Sequence, residues 1–276
     1  MHWRKKRRCS HCLFIKWVNN YIKLPSPYPI IFILFLTQIY PQNTTQAQWQ
    51  TNGVAICDTI VNAGVNMLPQ IATDMNGGAF ICWKDARSGT DDDIYMQHIY
   101  SDGYTQFPHN GVPLCNESGF QQFPRIISDG KGGAFVSWED GRSGTNVEIY
   151  AQHINMQGKK LWDNQGIKVA EYGGLFINIA SDDKGGLLVG WVSGGVHDVV
   201  IQYLDSIGSR IWEDSGVQVT NRPGNVYSND VAVVTDGYGG AFVGWSEELV
   251  IYIQRVDSLG QIVFATNGIT LTNNSL

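Results

Sequence analysis

The chain has 276 residues, 31 of them glycine, and a formal charge of −6. Residues 1–47 hold seven basic residues, no acid and no glycine, which leaves twelve basic against 25 acidic side chains in the other 229. An acidic body without a basic cluster excludes a nucleic-acid partner, which needs Lys and Arg to displace counterions, and abundant glycine without a sustained 3.6-residue apolar period argues against a helical fold.

The N-terminal segment reads as an export signal. A basic start from Arg4 to Arg8 is followed by the apolar run Ile30–Leu36 and then Thr45-Gln46-Ala47, a small-residue cleavage site before Gln48. The apolar run is shorter than the roughly 20 residues of a membrane span, so no stable span is expected after cleavage; the alternative is an uncleaved N-terminal anchor. The long basic region also allows a start codon further downstream. Cys9-Ser10-His11-Cys12 has C-x-x-C spacing, but no second pair completes a zinc site. The mature part keeps Cys57, Cys82 and Cys115. An odd number leaves at least one unpaired, and free buried thiols are the expectation.

The mature part starts with Trp49-Gln50-Thr51-Asn52-Gly53-Val54-Ala55-Ile56-Cys57, an aromatic, a polar turn and a short strand. The same pattern returns at Phe107–Cys115, Trp162–Ala170, Trp212–Thr220 and Phe264–Thr272. Between these lies a second recurrent stretch, a turn of Asp and paired glycines followed by a strand ending in tryptophan. The four copies end at Trp83, Trp138, Trp191 and Trp245, spaced by 55, 53 and 54 residues. Such a period marks one supersecondary unit used repeatedly.

Each unit predicts four strands. The first unit has Pro69–Thr73, Ala79–Trp83, Ile94–Ile99 and Gly111–Cys115, with a polar loop over Lys84–Asp92. The second has Pro124–Ser128, Ala134–Trp138, Ile149–Ile154 and Gly166–Ala170. The third has Ile177–Ser181, Leu187–Trp191, Val199–Leu204 and Gly216–Thr220, and the fourth Val231–Thr235, Ala241–Trp245, Ile251–Val256 and Gly268–Thr272. No second or third strand contains proline, as strands that donate to two neighbours require. The expected fold is therefore all-β: a β-propeller of four blades, at about 66–116, 121–171, 175–221 and 228–273, with an extra N-terminal strand at 48–58. Tandem β-sandwiches are the runner-up, but they need nearer 100 residues per domain. The spare front strand, together with a last unit that owns its fourth strand, predicts that further blades follow Leu276.

The loop after the tryptophan carries the most distinctive motif. Trp83-Lys84-Asp85-Ala86-Arg87-Ser88-Gly89 leads to Asp93-Ile94-Tyr95, and Trp138-Glu139-Asp140-Gly141-Arg142-Ser143-Gly144 leads to Glu148-Ile149-Tyr150. These segments resemble the W-x-D-x-R-x-G…D-I-Y-x-Q repeats of exported bacterial propeller-like proteins, many of which carry a sorting domain for type IX secretion, and are more loosely similar to TolB-like propeller repeats. The resemblance covers residues 48–276 and implies a secreted or cell-surface location. Val192–His197 and Ser246–Leu249 depart from the pattern by lacking the Asp/Arg pair.

Two copies of Asp85/Arg87 and Asp140/Arg142 argue for a structural pair rather than an active site, which needs one set of residues. Asp91-Asp92-Asp93 lacks the alternating spacing of a calcium loop and reads as a solvated loop. Gln97, Gln152, Gln202 and Gln254 recur on the third strand, where a buried amide satisfies backbone groups. His98 and His153 follow two of them, and Tyr203 and Arg255 the others. No sialidase box, G-x-S-x-G, H-E-x-x-H or phosphate loop occurs. Thus no catalytic residue, cofactor or metal is assigned. The expected role is a binding module for a glycan or a protein, with a carbohydrate-active enzyme or a structural spacer as alternatives.

Overall fold

Alternating apolar residues separated by glycine-rich turns give sixteen strands in the computed structural model, which describes residues 49–58, 67–194, 197–221, 230–247 and 249–272. The export signal and its Cys9 and Cys12 lie outside the described residues. Blade 1 comprises β1 (Gln70–Thr73), β2 (Ala79–Asp85), β3 (Asp93–Ile99) and β4 (Val112–Cys115). Blade 2 comprises β5 (Gln121–Ser128), β6 (Ala134–Asp140), β7 (Glu148–Ile154) and β8 (Ile167–Lys168). Blade 3 comprises β9 (Gly174–Ser181), β10 (Leu187–Ser193), β11 (Val199–Leu204) and β12 (Val217–Gln218). Blade 4 comprises β13 (Val231–Thr235), β14 (Ala241–Glu247), β15 (Val250–Val256) and β16 (Ile269–Thr270). Each blade is a separate antiparallel sheet with its strands in sequence order. Neighbouring sheets meet along their first strands, β1 with β5, β5 with β9 and β9 with β13, so the first strands are innermost. This is a β-propeller architecture.

The second strands run two residues past the tryptophan, so Asp85 and Asp140 end strands rather than open the loops. The fourth strands start one residue later than expected because the glycine before each takes a left-handed backbone, and β8, β12 and β16 keep only two residues. Gly166 has φ 83°, and a Cβ there would run into the Trp138 ring; Gly111, Gly216 and Gly268 stand in the same relation to Trp83, Trp191 and Trp245. Tryptophan and glycine recur together because the ring lies where the glycine side chain would be.

Blade faces pack pairwise. Leu114 and Cys115 of blade 1 join Trp138, Val136 and Ala134 of blade 2 in one cluster. Val169 and Ala170 of blade 2 join Trp191 of blade 3, and Val219 of blade 3 joins Trp245 of blade 4. Gly53–Cys57 forms no strand among the described residues. It still fills the place of a preceding fourth strand: Val54, Ile56 and Cys57 cover Trp83 and Tyr95, and Asn110 N–H donates to Ile56 O at 3.2 Å. Trp49 Nε1–H donates to Ser101 O at 2.8 Å, as Trp162 does to Ser206 O of the next blade. The far face of blade 4 carries the same apolar positions uncovered: Val234 is 55% and Leu271 60% exposed, against 6% and 3% for Ala180 and Val219 of blade 3.

Candidate functional site

Two ends of the blades are built differently. At the first end lies the turn between first and second strands. Asp74, Asp129, Asp182 and Asp236 each accept backbone N–H bonds from their own turn, as Asp129 does from Lys131 at 2.7 Å and Gly133 at 2.8 Å. The residue after the recurrent glutamine then reaches the same carboxylate. His98 meets Asp74 and His153 meets Asp129, each at 2.9 Å; Tyr203 O–H donates to Asp182 at 2.6 Å, and Arg255 Nη2–H to Asp236 at 2.7 Å. Burial opposes ionisation of Asp129, but the bonds from His153, Lys131 and Gly133 outweigh it and hold the carboxyl below its usual range. The two histidines thus serve separate blades and do not converge.

The glutamines lock the crossing from third to fourth strand. Gln97, Gln152, Gln202 and Gln254 donate from Nε2 to carbonyls of Pro108, Asp163, Glu213 and Ala265. Each Oε1 accepts the following backbone N–H and that of the aromatic ten residues on. All four are fully buried.

At the opposite end, Gln121 pairs with Asp140 and Asp140 with Glu148, so the start of the first strand, the end of the second and the start of the third share one edge. Here the Asp/Arg pairs sit. Trp138 Nε1–H donates to Asp140 Oδ2 at 2.7 Å, and Arg142 grips the same carboxylate from Nε at 2.9 Å and Nη2 at 2.6 Å. The guanidinium lies 3.7 Å from the centre of the Tyr150 ring and donates to Cys115 Sγ and Gln165 O. Blade 1 repeats this with Trp83, Asp85, Arg87, Tyr95 and Cys57. Burial opposes ionisation of Asp85, yet Arg87 and Trp83 keep it ionised below the usual range. The Arg142 pair thus plugs the seam between blades 1 and 2, and the Arg87 pair that between the front segment and blade 1. Asp93 departs from the expected solvated run: it is buried, and burial pushes its carboxyl upward. Asp92 is paired with Lys84 at 2.9 Å, and no cluster of three potential metal ligands occurs among the described residues. Cys82 and Cys115 are buried thiols outside any disulfide, and Cys57 Sγ accepts from Arg87.

Blades 3 and 4 solve the tryptophan differently. In blade 4, Glu247 takes the Trp245 Nε1–H at 2.7 Å. In blade 3, the position of Asp140 belongs to Ser193, whose Oγ accepts the Asp198 N–H at 3.1 Å. Trp191 Nε1, in a side chain 1% exposed, has no acceptor among the described residues. A cleft of about 690 Å³ opens there between blades 2 and 3. Its walls include Glu148, Glu171, Tyr172, Leu175, Trp191, Asp198 and Gln218. Gly174 passes so close to the indole that a Cβ would overlap Trp191 Cδ1 and the Val192 carbonyl. Next to it, Phe176 adopts a left-handed backbone (φ 59°), where β9 slips register against β10; such strain costs on the order of 1–3 kcal/mol and is held by its surroundings. Phe176 N–H donates to Glu139 Oε1 at 3.2 Å. Glu139 is 3% exposed, and burial pushes its carboxyl up to about 7.

Three polar groups of the cleft are already engaged. Glu148 pairs with Lys168 at 2.8 Å, and Asp198 accepts from Gln218 at 2.6 Å and Thr220 at 2.8 Å. Glu171 and Tyr172 stand exposed at the rim. The sequence pattern singled out the plugs and noted their absence from blades 3 and 4, but not the cleft that one absence leaves. The signal is serine two residues after tryptophan, where the other blades place a carboxylate.

No family model and no curated protein matches the chain. Similar solved structures include a Hadza microbial sialidase, Hz136 (11% identity, TM-score 0.45, 68% of this chain and 42% of that one). An endo-arabinase from Bacteroides thetaiotaomicron is 15% identical (TM-score 0.40, 79% and 82%), and an α-L-arabinanase from Penicillium chrysogenum 13% (TM-score 0.40, 71% and 63%). The chain thus spans less than half of the sialidase, and at these identities and scores the likeness carries nothing about activity.

Proposed function

We propose that this chain is an exported, cell-surface or secreted β-propeller binding module that takes its ligand at the end of the blades bearing the inter-strand loops. One observation carries this: the cleft of about 690 Å³ between blades 2 and 3, with Glu148, Glu171, Tyr172, Asp198 and Gln218 on its walls. A concave site with a few convergent polar groups is the ordinary form of a ligand site. The Asp85/Arg87 and Asp140/Arg142 pairs are spent on one another, and so belong to the scaffold. Screening the secreted protein against glycan and surface-protein arrays, with Tyr172→Ala and Glu171→Ala as cleft variants, tests this reading. It stands if a ligand is found whose binding both variants weaken, and falls if binding is indifferent to both.

A second reading, a carbohydrate-active enzyme, is favoured by the three carboxylates Glu148, Glu171 and Asp198 on the walls of one cleft. Glycoside hydrolysis needs a proton donor as well as a base or nucleophile. Glu139 has a suitably raised pKa but is buried and holds the Phe176 N–H. Release of reducing sugar that is lost in Glu171→Gln would favour the enzyme over the binding module.

A further inference from the structure

We propose that the uncovered face of blade 4 is an interface between two copies of this chain, packed blade 4 against blade 4. Strand register defines the face. Ile253 pairs with Ile269, and Leu271 N–H donates to Ile251 O at 2.8 Å, so these four side chains of β15 and β16 lie together, beside Val234 of β13. In the other blades the same positions form the seams. Ile94 and Leu114, Ile149 and Val169, and Val199 and Val219 are at most 3% exposed, each pair inside a cluster with the next blade. Ile251 is 47% and Leu271 60% exposed. A contiguous apolar face of this kind marks an interaction surface, because association removes it from water.

The other faces of the chain decide what covers it. A head-to-tail contact would repeat the internal seams and bring this face to the tryptophan side of blade 1. There Val54, Ile56 and Cys57 already lie against Trp83 and Tyr95 in the place of a fourth strand, and Trp83 is 2% exposed. Ile71 stays open at the inner edge of that side, but the β16 of an incoming copy would need the place that the front segment holds. Two blade 4 faces do not compete for a place. Charge also permits the pairing: Arg255, beside Phe242 on this face, is joined to Asp236 at 2.7 Å, so the face meets its own copy with that charge already matched. Two four-stranded sheets stacked about 10 Å apart interdigitate their alternate apolar residues, and a self-complementary contact closes at two copies.

The test is the mass of the secreted full chain, by light scattering and analytical ultracentrifugation between about 1 and 100 μM. The expected species is a dimer that grows no further as concentration rises. Leu271→Asp and Ile251→Asp, at positions that are open in the single chain, should each weaken self-association at least about tenfold. Ile207→Asp, on an exposed turn of blade 3, is the control and should leave the dimer unchanged. Melting curves identify any variant that has not folded. A monomer at about 100 μM, a dimer that neither blade 4 variant weakens, or growth beyond two copies, the mark of a head-to-tail contact, overturns the proposal. So does covering of this face by a further blade or by another protein that leaves the chain in single copies. None of these outcomes touches the reading of the cleft, which lies between blades 2 and 3.

Discussion

Blades 2 and 3 are drawn to one strand plan and differ in what stands against the tryptophan. In blade 2 the indole N–H, the Asp140 carboxylate and the Arg142 guanidinium form a closed set, capped by the Tyr150 ring and by the sulfur of Cys115 from blade 1. In blade 3 the tyrosine position is Val200, the cysteine position Ala170 and the aspartate position Ser193. All these changes remove polar or aromatic partners together, and the tryptophan remains. The fold tolerates the loss because the indole still belongs to the buried core cluster that also holds Val169, Val189 and Leu204. What the difference teaches is that tryptophan holds the blades together through its ring, whether or not its N–H finds an acceptor.

The largest effect that can break this comparison is removal of the guanidinium from blade 2. Arg142→Met leaves Asp140, wholly buried, with a charge that only Trp138 and one backbone N–H address. A loss of about 3–5 kcal/mol is expected in urea unfolding, the cost of stranding one member of a buried pair. A loss below 1 kcal/mol would mean that the plug does not hold the blades.

Glu139 gives the next effect and a pH signature. Its folded pKa of about 7 lies above the ordinary 4.5, so the folded protein binds this proton more tightly than the unfolded chain. Stability from this group is therefore complete below about pH 4.5 and declines as pH rises through 4.5 to 7. Glu139→Gln keeps an acceptor for the Phe176 N–H and should remove that decline, raising stability at pH 8 by about 1–3 kcal/mol. Unfolding curves of both proteins at pH 5 and pH 8 check the sign; a variant no more stable than the parent at pH 8 refutes it.

Trp138→Phe and Trp191→Phe sharpen the comparison most directly. Both lose similar ring area, but only the first takes a donor from a buried carboxylate. Trp138→Phe is expected to cost about 1–2 kcal/mol more than Trp191→Phe, measured as the difference between two midpoints at constant slope. Equal costs would show that the Trp138 bond contributes nothing. The smallest effect is at the other end of blade 3, where Tyr203→Phe takes one of four donors from Asp182. About 1 kcal/mol is expected, and since the Tyr203 hydroxyl lies outside the cleft wall, ligand binding should not change.

The sequence by itself determined the repeat and the strand order. A period near 54, with glycines flanking each apolar strand and a tryptophan closing the second, leaves little else for the chain to form. The Asp/Arg pairs were legible as part of the repeat, because the same residues stand at the same place in two blades. The strand ends were less readable. Asp85 and Asp140 are polar, yet they end strands because their charges are matched inside, and Gly53–Cys57 has the pattern of a strand but no ladder among the described residues. Only the tertiary structure decided that His98, His153, Tyr203 and Arg255 perform one task on four aspartates, since nothing in their chemistry alone relates them. Only it showed the cleft, because a cavity is a property of two blades in contact: the local sequence records that Ser193 is small, and the packing of blade 3 against blade 2 determines that a cleft opens there.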